Sequence, residues 1–565
     1  MEAPRMFARI KKSGQHQYLQ IVENHREGSK TVQRVISTIG RMDHLQANGD
    51  IENVIRSLSR FSEKVLLILS GKSEVHASAQ RIGPSLIFER LWKELGIGKV
   101  IKGLLGGRKF EFDVERAIFL TVLHRLFASG SDRSCDKWHQ DYRIDGVEDL
   151  SLHHLYRAMA FLGDEIEDQK DKTPFAPRCT KDLIEEALFH ERRDLFTGLD
   201  LVFFDTTSIY FEGEGGESLG ERGHSKDHRS DLNQMVVGAV LDDDGKPICC
   251  EMWPGNTADV KTLIPVVDRI RNRFHIGRFC MVADRGMISN ETMRELDRRK
   301  IPYILGSRMR KVKEIRVEVL SRAGRYTEVH PEGQSSKDPS PLKVKEVWVD
   351  SHRYILCLNV KQARKEALDR QSMVDALKER LKKDPKSLIG NKGYRRYLKW
   401  DRDHLCLNQD KIDAEERFDG KWVLKTNTSL SPEETALKYK ELWQVEQVFR
   451  EVKSVLQTRP VFHKCDETIR GHVFCSFLAL VLRKELDRRL DQGGHCFEWV
   501  DIKQDLKSLQ EIVIEERGKS LAVRSECKRT CGKVFQSVGV AIPPTIREIG
   551  DDMDLSKSRL WCQEL

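Results

Sequence analysis

Three acidic side chains have the types and positions that a shared metal site would need: Asp205, Asp284 and Glu446. Asp205 closes the apolar run 201–204, Asp284 closes the run 279–283, and Glu446 lies on an amphipathic helix far downstream. Hard divalent cations prefer carboxylate oxygens, and proteins use such cations to cleave and rejoin phosphodiester bonds. An acid at a strand end is by itself more often a turn or cap residue, so this prediction depends on the three acids together.

Hydrophobic periodicity predicts the elements that position these acids. Residues 201–204 are apolar on both faces, which is typical of a central strand covered on both sides. Strands 235–241 and 248–253 flank an Asp-rich turn and predict a hairpin. An amphipathic helix capped by Thr257 follows, and then a strand ends at Asp284, before another helix and a further strand. Three antiparallel strands followed by strand and helix alternation is the order of an RNase H-like fold.

The helix that carries Glu446 presents further polar side chains on the same face. At 100° per residue, Tyr439, Leu442, Glu446 and Lys453 fall within about 60° of arc on a regular helix. Arg450 shares that face. The pattern therefore predicts that one side of a single helix presents acid and base together.

These motifs resemble those of the DDE transposases of bacterial insertion sequences. The resemblance is to the group marked by a Tyr-x2-Arg-x3-Glu-x6-Lys signature and by a β-rich insertion in an RNase H-like core. Residues 439–453 read YKELWQVEQVFREVK, with Leu442 where Arg is usual. The segments GHSKDHRSDLNQ, GNTAD and VADRG, which begin at Gly223, Gly255 and Val282, are also similar to this group. The resemblance covers about residues 199–482 and extends more loosely to an opening hairpin. That hairpin is predicted because residues 18–23 and 31–39 alternate apolar and polar side chains on either side of a turn at 27–29.

The resemblance implies an enzyme that cleaves DNA at transposon ends and joins the freed 3′-hydroxyl groups to target DNA. By this resemblance Asp205, Asp284 and Glu446 would hold two Mg²⁺ ions, with Mn²⁺ as a substitute metal and Asp205 bridging the two ions. The implied partners are double-stranded DNA, namely the terminal inverted repeats and the target, and a second copy of the chain in a synaptic homodimer.

Candidate DNA contacts surround this predicted site. The resemblance implies that Tyr439 and Lys453 grip phosphates, and we expect Arg450 to supply the guanidinium that Leu442 lacks. Arg285 either orients a phosphate or pairs with an acid. The window 306–325 carries an excess of positive charge, and its phosphate-binding candidates are Arg308, Arg310, Lys311 and Lys313. The resemblance makes Trp348, Trp400 and Trp422 candidates for stacking on a flipped base, with buried packing as the alternative role for each of them. Asp227, Asp231 and Asp259 are interpreted as loop or cap residues.

The predicted fold class is α/β: an RNase H-like mixed-sheet core interrupted by a β-rich insertion, with an N-terminal β-hairpin and helical regions. The predicted domains are a small basic β-containing region (1–75), a helical DNA-binding region (76–198), the core in two parts (199–306 and 431–490), the insertion (307–430) and a C-terminal region (491–565). A helix over 151–162 is either the second helix of a helix-turn-helix pair or ordinary core packing.

Composition narrows the function classes. The net charge of +8 fits a nucleic-acid partner, and 39% hydrophobic residues exclude a disordered chain. Thirteen cysteines without a repeated spacing argue against a disulfide framework and favour a reducing compartment. The longest apolar stretch, 473–482, is too short to span a membrane and predicts a buried core helix. We therefore expect a cytoplasmic, nucleoid-associated protein of a bacterium or archaeon. Two alternatives remain open: a catalytically silent DNA-binding protein derived from a transposase, and another RNase H-like nuclease.

Overall fold

The computed structural model describes the chain except for residues 1–5, 28–29, 52–53, 55–75, 171, 173–175, 192–200, 277–278, 331–341, 384–387, 389–395, 402–403, 517–518 and 550–565. The chain divides into two compact units. The first comprises Met1–Ser78, Ile512–Val523 and Ile546–Lys557, and the second comprises Ala79–Glu511, Arg524–Thr545 and Ser558–Leu565.

The first unit opens with a three-stranded antiparallel sheet. Its strands are β1 (Met6–Ser13), β2 (His16–Glu27) and β3 (Lys30–Arg41), followed by helix α1 (Met42–Ala47). The hairpin predicted from alternating residues is confirmed as the β2–β3 pair. Strand β1 was not predicted, and a tight turn at Gly14, whose φ is +61°, joins it to β2.

A helical region opens the second unit, as predicted. After strand β4 (His76–Arg81), its helices are α2 (Gly83–Glu94), α3 (Ile97–Leu104), α4 (Val114–Phe127), α5 (Asp132–Trp138), α6 (Leu152–Gly163) and α7 (Thr180–Glu191). Ser151 caps α6 in a reciprocal capping box with His154. The apolar side of α6 packs against the long helix Asp466–Gln492. The apolar residues of α6 therefore contribute to the hydrophobic core. DNA binding by this region stays a prediction.

The central feature of the second unit is a mixed sheet, which has nine strands in the part of the chain that is described. Its first strands are β5 (Leu201–Tyr210), β6 (Gln234–Leu241), β7 (Pro247–Pro254), β8 (Cys280–Ala283) and β9 (Tyr303–Gly306), with helices α8 (Leu263–Phe274) and α9 (Asn290–Arg298) between them. Strands β5, β6 and β7 form the predicted antiparallel meander, and β8 and β9 add parallel to β5. The helix cap predicted at Thr257 is wrong, because a 3-10 turn intervenes and α8 starts after Thr262.

The predicted insertion adds strands to this same sheet. Its elements are β10 (Thr327–Val329), β11 (Leu342–Val349), β12 (His352–Asn359), α10 (Val360–Lys383), β13 (Leu398–Asp401), β14 (His404–Leu407), α11 (Gln409–Glu416) and β15 (Lys421–Thr426). The strand order is β10-β11-β12-β15-β9-β8-β5-β6-β7, so four of these strands extend the core sheet. The turn at Asp419 and Gly420, with Gly420 at φ +60°, joins helix α11 to β15.

The helix predicted to run from Tyr439 to Lys453 is broken. It consists of α12 (Pro432–Lys440), α13 (Trp443–Arg450) and a π-helical turn, Glu451–Val455. Helix α14 (Asp466–Gln492) follows, and its central segment 473–482 is buried, as predicted. The remaining elements are α15 (Trp499–Ser508), β16 (Gln510–Glu516), β17 (Lys519–Arg524), α16 (Cys531–Val538) and β18 (Ile546–Ile549). A membrane-crossing helix of sufficient length and apolarity is not found among the described residues.

An ion cluster is buried where α7 packs against β7 and α8. Its members, each at most 3% exposed, are Lys181, Asp182, Glu185, Glu251, Arg269 and Arg273. Arg273 lies at its centre, within 2.6 Å of Glu185, 3.1 Å of Glu251 and 3.2 Å of Asp182. Three positive and three negative charges therefore balance one another out of contact with water.

Candidate active site

Asp205 and Asp284 are neighbours across two parallel strands. Phe204 of β5 is in register with Ala283 of β8, and each aspartate is the residue that follows in the chain. Adjacent strands lie about 4.8 Å apart, so the two carboxylates project from adjoining backbone positions. Asp284 follows the end of β8, as predicted. Asp205 does not close its strand, because β5 continues beside β6 through Tyr210.

The carboxylate of Asp205 lies in a half-buried, charged environment. Its side chain is 20% exposed, and its Oδ1 accepts a hydrogen bond of 2.7 Å from the backbone N–H of Thr206. Burial raises the pKa of Asp205 to about 6, against the opposing effect of the Lys226 ammonium. The nearby charges of Asp284 and Asp259 raise this pKa further. Several acids therefore converge at one place on the sheet.

Lys226 and Asp259 belong to this site, although the sequence analysis did not include them in it. The Nζ of Lys226 lies 3.9 Å from Asp205 Oδ1 and 3.2 Å from Asp259 Oδ2. Asp259 Oδ1 accepts a hydrogen bond of 2.8 Å from the Thr206 hydroxyl. The interpretation of Asp259 as a plain cap residue is therefore incomplete. The sequence did contain a signal for both residues. Asp259 lies in the segment GNTAD and Lys226 lies in the segment GHSKDHRSDLNQ, and both segments contributed to the resemblance.

Tyr439 connects the downstream helices to the aspartate pair. Its hydroxyl donates a hydrogen bond of 3.0 Å to Asp284 Oδ1, and helix α12 packs on β8 and β9. Burial, together with the charge of Asp284, raises the pKa of Tyr439 and keeps the phenol protonated as the donor. A Cβ at Gly306 would lie 2.2 Å from the Tyr439 hydroxyl oxygen, so only glycine at the end of β9 admits this contact.

Glu446 lies on the outward side of α13, the next helix along the chain. That helix packs on β5 and β6 and buries Val445 and Val448, while Glu446 is exposed. Helix α13 thus rests on the strand that carries Asp205. Leu442, where the resemblance leads one to expect arginine, is buried in the main hydrophobic core. Arg450 is exposed on the same side of α13 as Glu446, and its predicted role stays a prediction.

A cleft of about 480 Å³ adjoins this carboxylate group. Its polar lining residues are Thr207, Ser208, His224, Lys226, Thr257, Asp259, Ser289 and Arg308. Hydroxyl groups and cations thus dominate the polar part of the wall. Such a surface suits a phosphorylated ligand better than an apolar one.

Comparison with known families assigns the chain. The model of the transposase DDE domain matches residues 197–482, half of the chain. The chain belongs to the DDE transposase family. A second model, the N-terminal domain of the IS1634 family transposases, matches residues 7–73. The family prediction is thereby confirmed, and residues 197–482 agree closely with the extent expected from the motifs.

The chain also shows a distant similarity to one solved transposase structure. A solved structure, the cryo-EM structure of the piggyBac transposase synaptic complex with hairpin DNA, is similar at a TM-score of 0.37 and 11% sequence identity. The similarity covers 75% of this chain and 79% of that chain. A comparison with curated proteins found no match. The family assignment therefore rests on the two domain models.

Lys453 of the transposase is engaged by an acid. Its Nζ donates a hydrogen bond of 2.8 Å to Asp227, and both side chains are nearly buried. Arg459 pairs with the other oxygen of Asp227. Asp227 lies in a loop, as predicted, and from there it also holds two cations from the chain after Glu446. Asp231 also lies in an exposed loop, paired with Arg229.

The predicted basic residues after β9 have different surroundings. Arg308 donates hydrogen bonds of 2.9 Å to the carbonyl oxygens of both Arg285 and Gly286, so it braces the loop that follows Asp284. Arg310 pairs with Glu415 at 2.9 Å. Lys311 and Lys313 are exposed, as is Arg285. The exposed Arg285, Lys311 and Lys313 therefore stay candidates for binding DNA phosphates, whereas Arg308 also has a structural role.

Among the described residues, three tryptophans are well exposed: Trp348, Trp400 and Trp443. Trp348 and Trp400 in the insertion are 54% and 61% exposed, whereas Trp422 is half-buried. Trp443, which the sequence analysis did not single out, is 56% exposed on α13. It precedes Glu446 by one helical turn. Stacking on a base stays a prediction for all of these residues.

A second group of potential ligand atoms lies elsewhere in the described chain. Asp132, His463 and His472 place one ligand atom each within 4.8 Å of one another. His472 Nε2 lies 3.2 Å from the Thr458 carbonyl oxygen, so this nitrogen carries the proton and Nδ1 accepts hydrogen bonds. Arg125 and His463 each lie 3.0 Å from that Nδ1. These groups satisfy one another, and the Arg125 guanidinium disfavours a cation between them.

Proposed function

We propose that this protein is an active transposase of the Tyr-Arg-Glu-Lys signature group, with an RNase H-like core. It binds the terminal inverted repeats of its element, hydrolyses a strand at each end and joins the 3′-hydroxyl groups to target DNA. Two copies of the chain act together, because two ends must be held at once. Asp205, Asp284 and Glu446 are the proposed catalytic acids.

The observation that carries this proposal is the hydrogen bond from Tyr439 to Asp284, two residues 155 positions apart. It ties the signature helices to the sheet position where Asp284 adjoins Asp205. Glu446, one helix further on, belongs to α13, which packs on β5. The acids that were predicted from separate motifs are therefore carried by elements in mutual contact.

The carboxylate group suits hard divalent cations. Asp205 is half-buried, its charged form is disfavoured by burial, and neighbouring acids outnumber the single ammonium of Lys226. Oxygen ligands with excess negative charge favour Mg²⁺ or Mn²⁺. Bound there by Asp205, Asp284 and Glu446, such ions would activate the attacking oxygen and neutralise the leaving oxygen.

The protein's own groups orient this site. Tyr439 fixes the rotamer of Asp284 through its hydroxyl, and the Thr206 N–H fixes Asp205. Arg308 holds the loop after Asp284 through two carbonyl oxygens. Exposed Arg285, Lys311 and Lys313 are proposed to attract DNA phosphates, and Arg450 is proposed to do so beside Glu446.

The test uses the full chain and a labelled duplex that ends in the inverted repeat flanking its gene. With Mg²⁺ we expect cleavage at the repeat boundary. Asp205→Ala should lower the rate on the order of a thousandfold, because metal ions contribute several kcal/mol to such reactions. Asp244→Ala is the matched control, since Asp244 lies in an exposed turn of the same sheet and is 67% exposed.

The outcomes separate the alternatives. Specific binding without cleavage would favour a silent DNA-binding descendant. Cleavage without end specificity or joining would favour another nuclease. Equal rates for Asp205→Ala and wild type would overturn the proposed site.

A further inference from the structure

Lys226 is held against the carboxylates by two hydrogen bonds and an ion pair. Its Nζ donates to the Thr206 carbonyl oxygen at 2.6 Å and to the Thr206 hydroxyl at 2.9 Å, and it lies 3.2 Å from Asp259 Oδ2. The strand backbone and the charge of Asp259 therefore fix the position of the ammonium. Asp205 Oδ1, at 3.9 Å, feels the charge without a direct hydrogen bond.

The backbone supports this arrangement. Strand β8 ends at Ala283, while β5 continues to Tyr210, so the stretch of β5 after Phe204 has no ladder with β8. Lys226 reaches the Thr206 carbonyl oxygen there, and the N–H of Lys226 donates a hydrogen bond of 2.8 Å to the Ser208 hydroxyl. Both ends of the lysine are therefore anchored on the strand that carries Asp205.

The position of Lys226 also makes it a competitor for cations. The single ammonium of Lys226 faces the carboxylates of Asp205 and Asp259. Asp284 adds a third negative charge nearby, so one positive charge does not neutralise the three acids. Any divalent ion bound by Asp205 would approach a positive charge already within 4 Å of that carboxylate. At the same time, Lys226 is 32% exposed and lines the cleft, so it has space to move.

We propose that Lys226 is a positioning residue that acts as the resident counter-ion of Asp205 and Asp259 and must yield to a divalent cation. This inference rests on the proposed function, since it concerns the same carboxylate site. In the metal-free protein the ammonium keeps the acids from repelling one another. When a divalent ion binds, the ammonium weakens that binding and withdraws from Asp205.

The experiment measures Mn²⁺ binding to the metal-stripped full chain without DNA, by the electron paramagnetic resonance signal of free Mn²⁺ at pH 8. Lys226→Met should bind Mn²⁺ on the order of tenfold more tightly, a modest part of the Coulomb energy of a unit charge about 4 Å away. Lys226→Arg, which keeps the charge, should bind like wild type. Lys246→Met, in an exposed turn of the same sheet, is the neutral control.

A second readout separates the counter-ion role from general damage. Without metal, Lys226→Met should have a lower melting temperature than wild type, and saturating Mn²⁺ should raise it by more than it raises that of wild type. Should Lys226→Met fail to fold, Lys226→Gln applies the same test with a neutral side chain that still donates hydrogen bonds. Mn²⁺ affinity equal to or weaker than that of wild type in the neutral variant overturns the inference.

The variant Asp205→Asn distinguishes an error in the role of Lys226 from an error in the proposed metal site. If it does not weaken Mn²⁺ binding, the metal site itself is misassigned. If it weakens binding while the neutral Lys226 variant leaves the affinity unchanged, only the role of Lys226 is rejected.

Discussion

Two regions beside the same sheet hold several acids close together, and they differ in how many positive charges neutralise those acids. In one region, the ion cluster around Arg273 is buried, and its three acids face three cations. In the other, Asp205, Asp259 and Asp284 lie near one ammonium beside an open cleft. The first region is complete as the chain folds, whereas the second keeps an excess of negative charge that a cation from solution can neutralise.

Asp182 of the buried cluster and Asp205 beside the cleft differ accordingly, although burial also raises the pKa of Glu185 in the buried cluster. For Asp182 burial alone would raise the pKa, but Lys181, Arg273 and Arg269 overcome it and hold the pKa well below its usual range. For Asp205 burial prevails over Lys226, and the pKa rises to about 6. Balanced partners therefore mark a structural site, and an unbalanced, accessible group of acids marks the candidate for chemistry.

The largest effect should come from breaking the balanced cluster. Arg273→Met leaves buried acids without their central partner, and we expect a loss of about 3–5 kcal/mol in the free energy of unfolding. Urea denaturation measures it. Arg298→Met is the control, because Arg298 is 69% exposed and its pair with Glu295 should contribute about 1 kcal/mol or less. Similar losses for the two variants would contradict the comparison.

His124 tests whether a buried group without a balancing partner is held neutral. Burial, and then the charge of Arg125, lowers its pKa to about 4. The unfolded chain therefore binds more protons between about pH 6.5 and 4, and folding stability should fall as the pH drops through that window, by up to about 3 kcal/mol. His124→Gln should flatten this fall in urea denaturation at pH 7 and 4.5. An unchanged slope would show that His124 is not responsible.

The smallest effect should have the opposite sign. Without metal at pH 7, Asp205→Asn should raise the free energy of unfolding by about 1–2 kcal/mol, because it removes a disfavoured charge. The gain should shrink as the pH falls from 6 towards 4, where the carboxyl group of wild type becomes protonated. Asp182→Asn should instead destabilise the protein. A loss of stability in both variants would erase the distinction between the two regions.

Local sequence patterns were sufficient for much of the fold. Alternation and apolar runs predicted the meander of β5, β6 and β7, and the acids after residues 204 and 283 pointed to neighbouring strand positions. The buried helix over 473–482 was also predicted correctly. These features depend on neighbours within one element, where periodicity is informative. The roles of Asp205, Asp284 and Glu446 stay predictions.

Features that depend on distant side chains were missed. Nothing in the spacing indicated that Lys226 would reach Asp259, or that Asp227 would hold Lys453 across more than two hundred positions. The break between α12 and α13 was missed because an ideal 3.6-residue period was assumed throughout. The strands of the insertion were recognised, but their pairing with β9 is a matter of tertiary register.

The ion cluster also limits how this transposase can be divided. Lys181, Asp182 and Glu185 come from α7, before the predicted start of the core at residue 199, whereas Glu251, Arg269 and Arg273 come after it. A fragment starting at residue 199 would leave two buried guanidinium groups facing one acid. A chimera that takes residues before 199 from a relative would have unpaired charges in this cluster unless the cluster residues of the two parts match. We therefore expect the two parts of the chain to be inherited together.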